Sequence, residues 1–287
     1  MSMLAITSVG VSVFFRETGG KQNSGMHNFQ RQQIKKAPGK EALVSPAMDA
    51  VEFAITKLGF EPDERQQEVL RSKAKRGILN CTRQWGKSTV SAAKALYRAE
   101  SVAGSLVVVA TPCARQSAEW MRKAKCMARR MGIEPKGDGD NPISLALPNG
   151  SRIVGLPGRE ATVRGFSAVS MLLIDEAARV EDATYKALRP MLAVGHGDLW
   201  MMSTPCGRRG FFFETWEHGG AEWMRARVPA TECARIPKKF LREERGVMGD
   251  VWFRQEHLCE FVDSGAGMFD RDVIEAALED IKTLSYR

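Results

Sequence analysis

The sequence is poor in histidine, with four residues, and none of its six cysteines forms a Cys-x-x-Cys pair. Cys81, Cys113, Cys126, Cys206, Cys233 and Cys259 stand singly, none at finger spacing from a histidine. That argues against a structural zinc site and reads as reduced thiols in a cytoplasm. Long apolar runs are missing too. The mildly apolar stretch 3–15 has no basic residue before it and is too short to span a bilayer, so no membrane segment is expected. Internal repeats and low-complexity tracts are absent from the globular part. What remains is an ordinary composition: 287 residues, 44% hydrophobic, enough for one large domain or two small ones. Lys and Arg outnumber Asp and Glu by 42 to 34, a net charge of +8 that leans towards a polyanionic partner such as nucleic acid.

Residues 17–41 are rich in Gly, Gln, Asn, Lys and Ser, a composition that cannot bury a core. The expectation is a flexible N-terminal segment over 1–45, with globular patterning from Pro46. Val51, Ala54, Ile55 and Leu58 fall on one helical face, and a second helix is predicted over 63–75 with Asp63 as its N-cap. Five short apolar runs come after it, at 77–81, 106–110, 152–156, 171–174 and 199–203. Runs of that length suit strands buried on both faces. Helical stretches at 88–99, 116–131 and 183–192 alternate with them, which implies crossover units and a mainly parallel α/β sheet. The run 143–147, the turn Pro148-Asn149-Gly150-Ser151 and the run 152–156 predict a hairpin.

The strand at 77–81 leads into Thr82-Arg83-Gln84-Trp85-Gly86-Lys87-Ser88-Thr89 and then into a helix. Strand, loop and helix in that order make a phosphate-binding loop: backbone N–H groups point at the phosphates and the helix N-terminus adds its dipole. Gly86 lets the backbone approach, Lys87 reaches the β and γ phosphates, and the Ser88 hydroxyl binds Mg²⁺. The motif asks for glycine where the chain has Cys81, and a bare Gly-Lys-Ser is common by chance, so the context carries the reading. The second motif is the apolar run Met171-Leu172-Leu173-Ile174 ending in Asp175-Glu176. Two carboxylates at the carboxyl end of a buried strand sit where open α/β sheets bind ligands. Asp175 is expected to hold Mg²⁺ and Glu176 to activate the attacking water. Together the motifs predict a P-loop nucleoside triphosphatase of α/β, RecA-like fold that hydrolyses ATP or GTP with Mg²⁺.

The loop Arg83-Gln84-Trp85-Gly86-Lys87-Ser88-Thr89 resembles that of the large terminase subunits of tailed bacteriophages, the motors that pump DNA into a capsid. In that family the first loop glycine is commonly replaced, so Cys81 becomes part of the match. Pro62-Asp63-Glu64-Arg65-Gln66 looks like its adenine-reading segment. The stretch from Leu156-Pro157-Gly158 through Ala161-Thr162-Val163-Arg164-Gly165-Phe166 resembles the approach to its acidic strand. Ser203-Thr204-Pro205-Cys206-Gly207, then Gly210-Phe211-Phe212 and Trp216, are similar to its coupling motif and the segment after that motif. The resemblance runs over about residues 60–265 and extends the nucleotide-binding set to Gln66, Arg83, Gln84, Trp85, Gly86, Lys87, Ser88 and Thr89. It implies that Arg83 stabilises transition-state charge within the subunit, that Arg164 is a finger given to a neighbour in a ring, and that Ser203, Thr204 and Pro205 couple hydrolysis to motion. It also implies ATP as the nucleotide; double-stranded DNA, a portal and a small terminase subunit as partners; a homo-oligomeric ring; and the cytoplasm of the bacterial host.

Family members usually carry a C-terminal nuclease domain. Asp263, Asp270 and Asp272 remain after the apparent join at Cys259-Glu260-Phe261-Val262-Asp263, without room for that fold. The expectation is an ATPase domain over 46–263, a remnant linker over 264–287, and no nuclease activity. For DNA, Arg122, Lys125 and Arg129 fall on one helical stripe with Lys123 and Arg130 beside it, and Arg208-Arg209 comes just after the coupling motif; a solvated basic face explains the stripe as well. Two rivals stay open. A superfamily 2 helicase is suggested by Asp-Glu-Ala-Ala and by Ala110-Thr111-Pro112, but the about 80 residues after Thr204 are few for a second domain. A prophage remnant that binds ATP without hydrolysing it is opposed by the presence of both Lys87 and Glu176.

Overall fold

The computed structural model describes residues 48–158 and 165–263; the segments expected to be flexible at 1–45 and a linker at 264–287 lie outside them. A seven-stranded sheet has the order β3-β4-β2-β5-β6-β1-β7. The strands are β1 (Arg76–Cys81), β2 (Leu106–Thr111), β3 (Ser144–Ala146), β4 (Arg152–Pro157), β5 (Met171–Asp175), β6 (Asp198–Ser203) and β7 (Trp223–Val228). Every neighbouring pair is parallel except β3 and β4, which form the predicted hairpin. All five predicted apolar runs are strands.

The runs read as continuous because both faces are covered. Along β5, Met171 and Leu173 enter one apolar cluster while Leu172 and Ile174 enter the other, as the two-residue period of a strand requires. α1 (Ala50–Thr56), α2 (Glu64–Arg71), α3 (Lys87–Ser101) and α4 (Ala114–Arg130) contribute to the first cluster; α5 (Asp182–Leu188) and α6 (Gly210–His218) contribute to the second. β1 touches β6 so closely that a Cβ on Gly77 would lie 2.2 Å from the Trp200 ring, which restricts that position to glycine. The chain leaves β1, crosses by α3 to β2, and β5 and β6 fill the space between. The carboxyl ends of β1, β5 and β6 therefore lie side by side.

Four details depart from the predicted elements. Ile55 is 45% exposed: the buried face of α1 is Ala50, Val51, Phe53 and Ala54, turned by Phe53 packing edge-on to Tyr97 at 5.5 Å. α2 stops at Arg71 rather than Lys75 because the Lys94 ammonium takes the carbonyls of Val69, Leu70 and Ser72, ending the helix as a cationic cap. Its start is as predicted, a reciprocal Asp63–Gln66 capping box. The helix at 183–192 breaks after Leu188, where Pro190 opens a 3-10 turn because it lacks an N–H and crowds the preceding turn. The unpredicted β7 is an edge strand whose Arg225 and Arg227 interrupt any apolar run. After it come α7 (Lys238–Met248) and α8 (Asp250–Leu258).

Candidate nucleotide site

The phosphate-type loop leaves β1 at Cys81 and enters α3 at Lys87. Gln84 (φ 65) and Gly86 (φ 101) take left-handed backbone, and a Cβ on Gly86 would meet Gln66 Nε2 at 3.1 Å. Gly86 caps α3 without a side-chain hydrogen bond, so the first N–H groups of that helix are open to an anion. Lys87, 6% exposed, lays its Nζ on the carbonyls of Cys81 (2.9 Å) and Thr82 (3.1 Å). The Cys81 side chain is fully buried, and burial pushes its thiol well above the ordinary cysteine range; it is inert packing at the place of a loop glycine.

The end of β5 meets this loop. Ser88 Oγ donates to Asp175 Oδ2 at 2.7 Å, and the Glu176 N–H donates to Asp175 Oδ1 at 3.1 Å. Burial raises the Asp175 carboxyl above its usual range, and the Glu176 charge adds to the shift. The Ser88 bond, the Lys87 charge and the Glu176 N–H offset only part of that shift, and a hydroxyl beside a buried carboxyl makes an oxygen-only donor set that fits Mg²⁺. Glu176 is itself in the left-handed region, φ 53, a conformation that costs energy for a non-glycine residue and recurs at functional sites. Its Oε2 accepts from Arg179 Nη1 (3.3 Å) and Ser203 Oγ (3.5 Å). Ser203 and Thr204 are fully buried, and Thr204 accepts from Arg179 through Oγ1 at 3.1 Å. Pro205 is buried behind them.

Two residues absent from the sequence reading tie these parts together. Arg179 Nη2 donates to Glu256 Oε1 at 2.8 Å, and Arg83 Nε donates to Glu256 Oε2 at 2.8 Å. Glu256 lies on α8, with a side chain only 6% exposed, and its carbonyl accepts from Thr82 Oγ1. A charge three residues after Glu176 was visible as a possible helical pair; nothing in Asp250–Leu258 marks Glu256. Arg83 is thus held on α8, with its side chain 64% exposed at the cavity mouth.

A cavity of about 470 Å³ is lined by Arg83, Gln84, Gly86, Lys87, Ser88 and Thr89 on the loop side, and by Glu176 and Arg179 opposite. Two proposed nucleotide contacts sit elsewhere. The Trp85 indole points into the core at 1% exposure, and only its carbonyl serves the site, accepting from Gln66 Nε2 at 2.7 Å and from Arg235. Gln66 is fully buried, its Oε1 taken by the Asp63 N–H at 3.0 Å, so its carboxamide braces the loop from behind rather than facing the cavity. Arg164 lies outside the described residues. Of the basic stripe, Arg122 is paired with Glu119 at 2.7 Å and Arg130 holds the carbonyls of Leu58 and Gly59; Lys125 is half-buried and Arg129 exposed. Arg208 donates to the Phe261 carbonyl at 3.2 Å. Among the described residues no cluster of His, Cys, Asp and Glu forms a further metal site, and no helix is long and apolar enough to cross a membrane.

Comparison with known proteins gives the same frame. The pattern of the family described as terminase large subunit, T4likevirus-type, N-terminal, matches residues 78–276. The terminase large subunit of Thermus phage G20c is 25% identical over 248 residues, covering 74% of this chain and 51% of that protein. The chain thus spans about half the length of that curated relative. Among solved structures, the large terminase ATPase domain of Thermus phage P74-26 superposes with a TM-score of 0.63 at 23% identity, covering 72% of this chain and 97% of that one. The large terminase of a thermophilic bacteriophage, in complex with ATP-gamma-S, gives a TM-score of 0.59 at 14% identity, covering 69% of this chain and 52% of that one. At those identities the likeness establishes the fold, a P-loop NTPase-like sheet flanked by helices. With a family pattern spanning most of the sequence, from β1 through α8, the chain belongs to the terminase large subunit family and corresponds to its N-terminal part.

Proposed function

We propose that this chain hydrolyses ATP with Mg²⁺ and that hydrolysis drives double-stranded DNA into a capsid. The observation that carries the reading is the 2.7 Å Ser88–Asp175 hydrogen bond with Glu176 beside it, because it joins the phosphate loop to the acidic strand end. The ATP-gamma-S complex of the thermophilic bacteriophage's large terminase supports a triphosphate as the ligand.

In this reading the phosphates lie over the open N-terminus of α3, and phosphate oxygens take over the Lys87 donors now shared by two carbonyls. Ser88 and Asp175 would hold Mg²⁺, which would supply neutralisation of the phosphate charge. Glu176 accepts the proton of the attacking water. Arg179 keeps the Glu176 carboxylate beside Ser203 and Thr204, so loss of the γ-phosphate is felt at the coupling segment. Arg83 stabilises transition-state charge from the cavity mouth, and Arg164 does so for a neighbouring subunit in a ring. A portal, a small subunit and the cytoplasm of a bacterial host complete the proposal.

The test is ATP turnover and ATP binding by the wild-type chain and by Glu176→Gln. We expect turnover to fall by about 100-fold or more with binding retained, the usual scale for loss of a catalytic base. Equal turnover in both proteins would remove Glu176 from the role.

A further inference from the structure

Lys123 belongs by sequence to the edge of a basic helical stripe, but the fold turns it elsewhere. α4 is fixed to α3 by Trp120, 1% exposed, whose Nε1 donates to Ser91 Oγ at 2.9 Å; that hydroxyl donates in turn to the Ser88 carbonyl at 3.1 Å. With 3.6 residues per turn, the positions four before and three after Trp120 share its side of the helix. Those positions are Gln116 and Lys123, and both line the nucleotide cavity. Both also line a second hollow of about 560 Å³, which holds Ser88, Asp175 and Glu176. Lys123 therefore approaches from the side of the metal donors and the catalytic carboxylate, away from the Gln66 and Arg235 side of Gly86.

The other cations of the cavity are engaged with protein. Arg83 and Arg179 hold Glu256, Lys87 holds two carbonyls, and Arg235 holds Asp63 and the Trp85 carbonyl. Lys123 lines the cavity without a hydrogen bond or ion pair among the described residues; its charge slightly lowers the Glu119 carboxyl, four residues back, behind the larger effect of Arg122. A cation that leaves a protein partner for a phosphate forfeits part of what it gains, whereas one that exchanges only water keeps the surplus. A lysine suits this place, being a compact charge on a flexible stem that can follow a phosphate oxygen.

We propose that Lys123 is a further phosphate-binding residue, carried by α4 to the terminal phosphate of the bound nucleoside triphosphate, and that it makes the site prefer triphosphate over diphosphate. This rests on the reading of the site as an ATP site. Because the Trp120–Ser91–Ser88 connection sets the spacing of α4 from the loop, the contact also ties α4 and its outward arginines to the presence of the third phosphate.

The experiment measures dissociation constants for ATP-gamma-S and for ADP, each with Mg²⁺, on the wild-type chain, Lys123→Ala and Lys123→Arg. We expect Lys123→Ala to bind ATP-gamma-S about tenfold more weakly, the scale of one charge-assisted contact, with ADP affinity unchanged. Lys123→Arg should restore most of the preference. Equal weakening towards both nucleotides would assign Lys123 a structural role, and unchanged affinities would remove it from the site; either overturns the proposal while leaving the ATP reading intact. A wild-type chain that binds neither nucleotide overturns both.

Discussion

Ser88 and Asp175 are separated by 87 positions in the chain, yet their side-chain oxygens meet at 2.7 Å. One opens the helix after β1 and the other closes β5, and the crossover that inserts β5 and β6 between β1 and β2 brings the two ends together. The contact is short because Asp175 is buried and, among the described residues, the Ser88 hydroxyl is the one side-chain donor it meets.

Asp175→Asn should separate metal binding from folding. Removing a buried charge relieves its desolvation cost, so the melting temperature without nucleotide should hold or rise. Turnover should fall by about 100-fold or more, the scale of losing charge stabilisation at a reacting phosphate. Calorimetry and an ATPase assay over a Mg²⁺ series read both. A large drop in melting temperature would mean that the Ser88 bond supports the fold more than the chemistry.

Glu256→Gln tests the bridge between α8 and the loop. The carboxylate accepts from Arg83 and Arg179 at 2.8 Å each, and an amide can accept through only one oxygen. The Arg83 side of the pair is largely exposed and screened, so most of the loss belongs to Arg179. We expect a stability loss of about 1–3 kcal/mol in urea unfolding and slower turnover with nucleotide affinity kept, since Arg179 also holds Glu176. Unchanged turnover would show that Glu176 keeps its place without that anchor.

His257 gives the chain an acid-sensitive point. Its ring packs against Phe253 at 5.1 Å and Phe240 at 6.1 Å, and neither ring nitrogen finds a partner among the described residues. Burial lowers its pKa from the ordinary 6.5, with Glu244 and Glu256 opposing and Arg83 adding a small further decrease. The unfolded state then binds more protons than the native state just below pH 6.5, so stability is lost as the pH falls through that window towards the folded pKa. His257→Leu should be at least as stable at pH 7 and lose less than wild type between pH 7 and 5. Parallel stability curves for the two proteins would contradict this assignment.

Much of this was legible in one dimension. Five strands showed as apolar runs because a doubly covered sheet needs apolar side chains on both faces of each strand. Lys87, Ser88, Asp175 and Glu176 stood out as candidates because each pair directly follows a strand–loop or strand pattern, and the fold brings them around one cavity. Asp63 showed as a cap because its bonds are local. β7 and Glu256 did not show, since an edge strand tolerates arginines and a carboxylate on a helix looks like any solvated surface residue.

The sequence by itself determined the fold class, the phosphate loop and the acidic strand end, all of which are written in contiguous residues whose spacing obeys helix and strand periods. Only the tertiary structure decided which arginines face the cavity, that Trp85 and Gln66 brace the loop from behind, and that α8 reaches the site through Glu256. Those outcomes depend on contacts such as Arg83 with Glu256, 173 positions apart, and no local pattern encodes a partner at that distance. The place of Lys123 belongs to the same class, because it comes from how Trp120 seats α4 on α3 rather than from the charges around it.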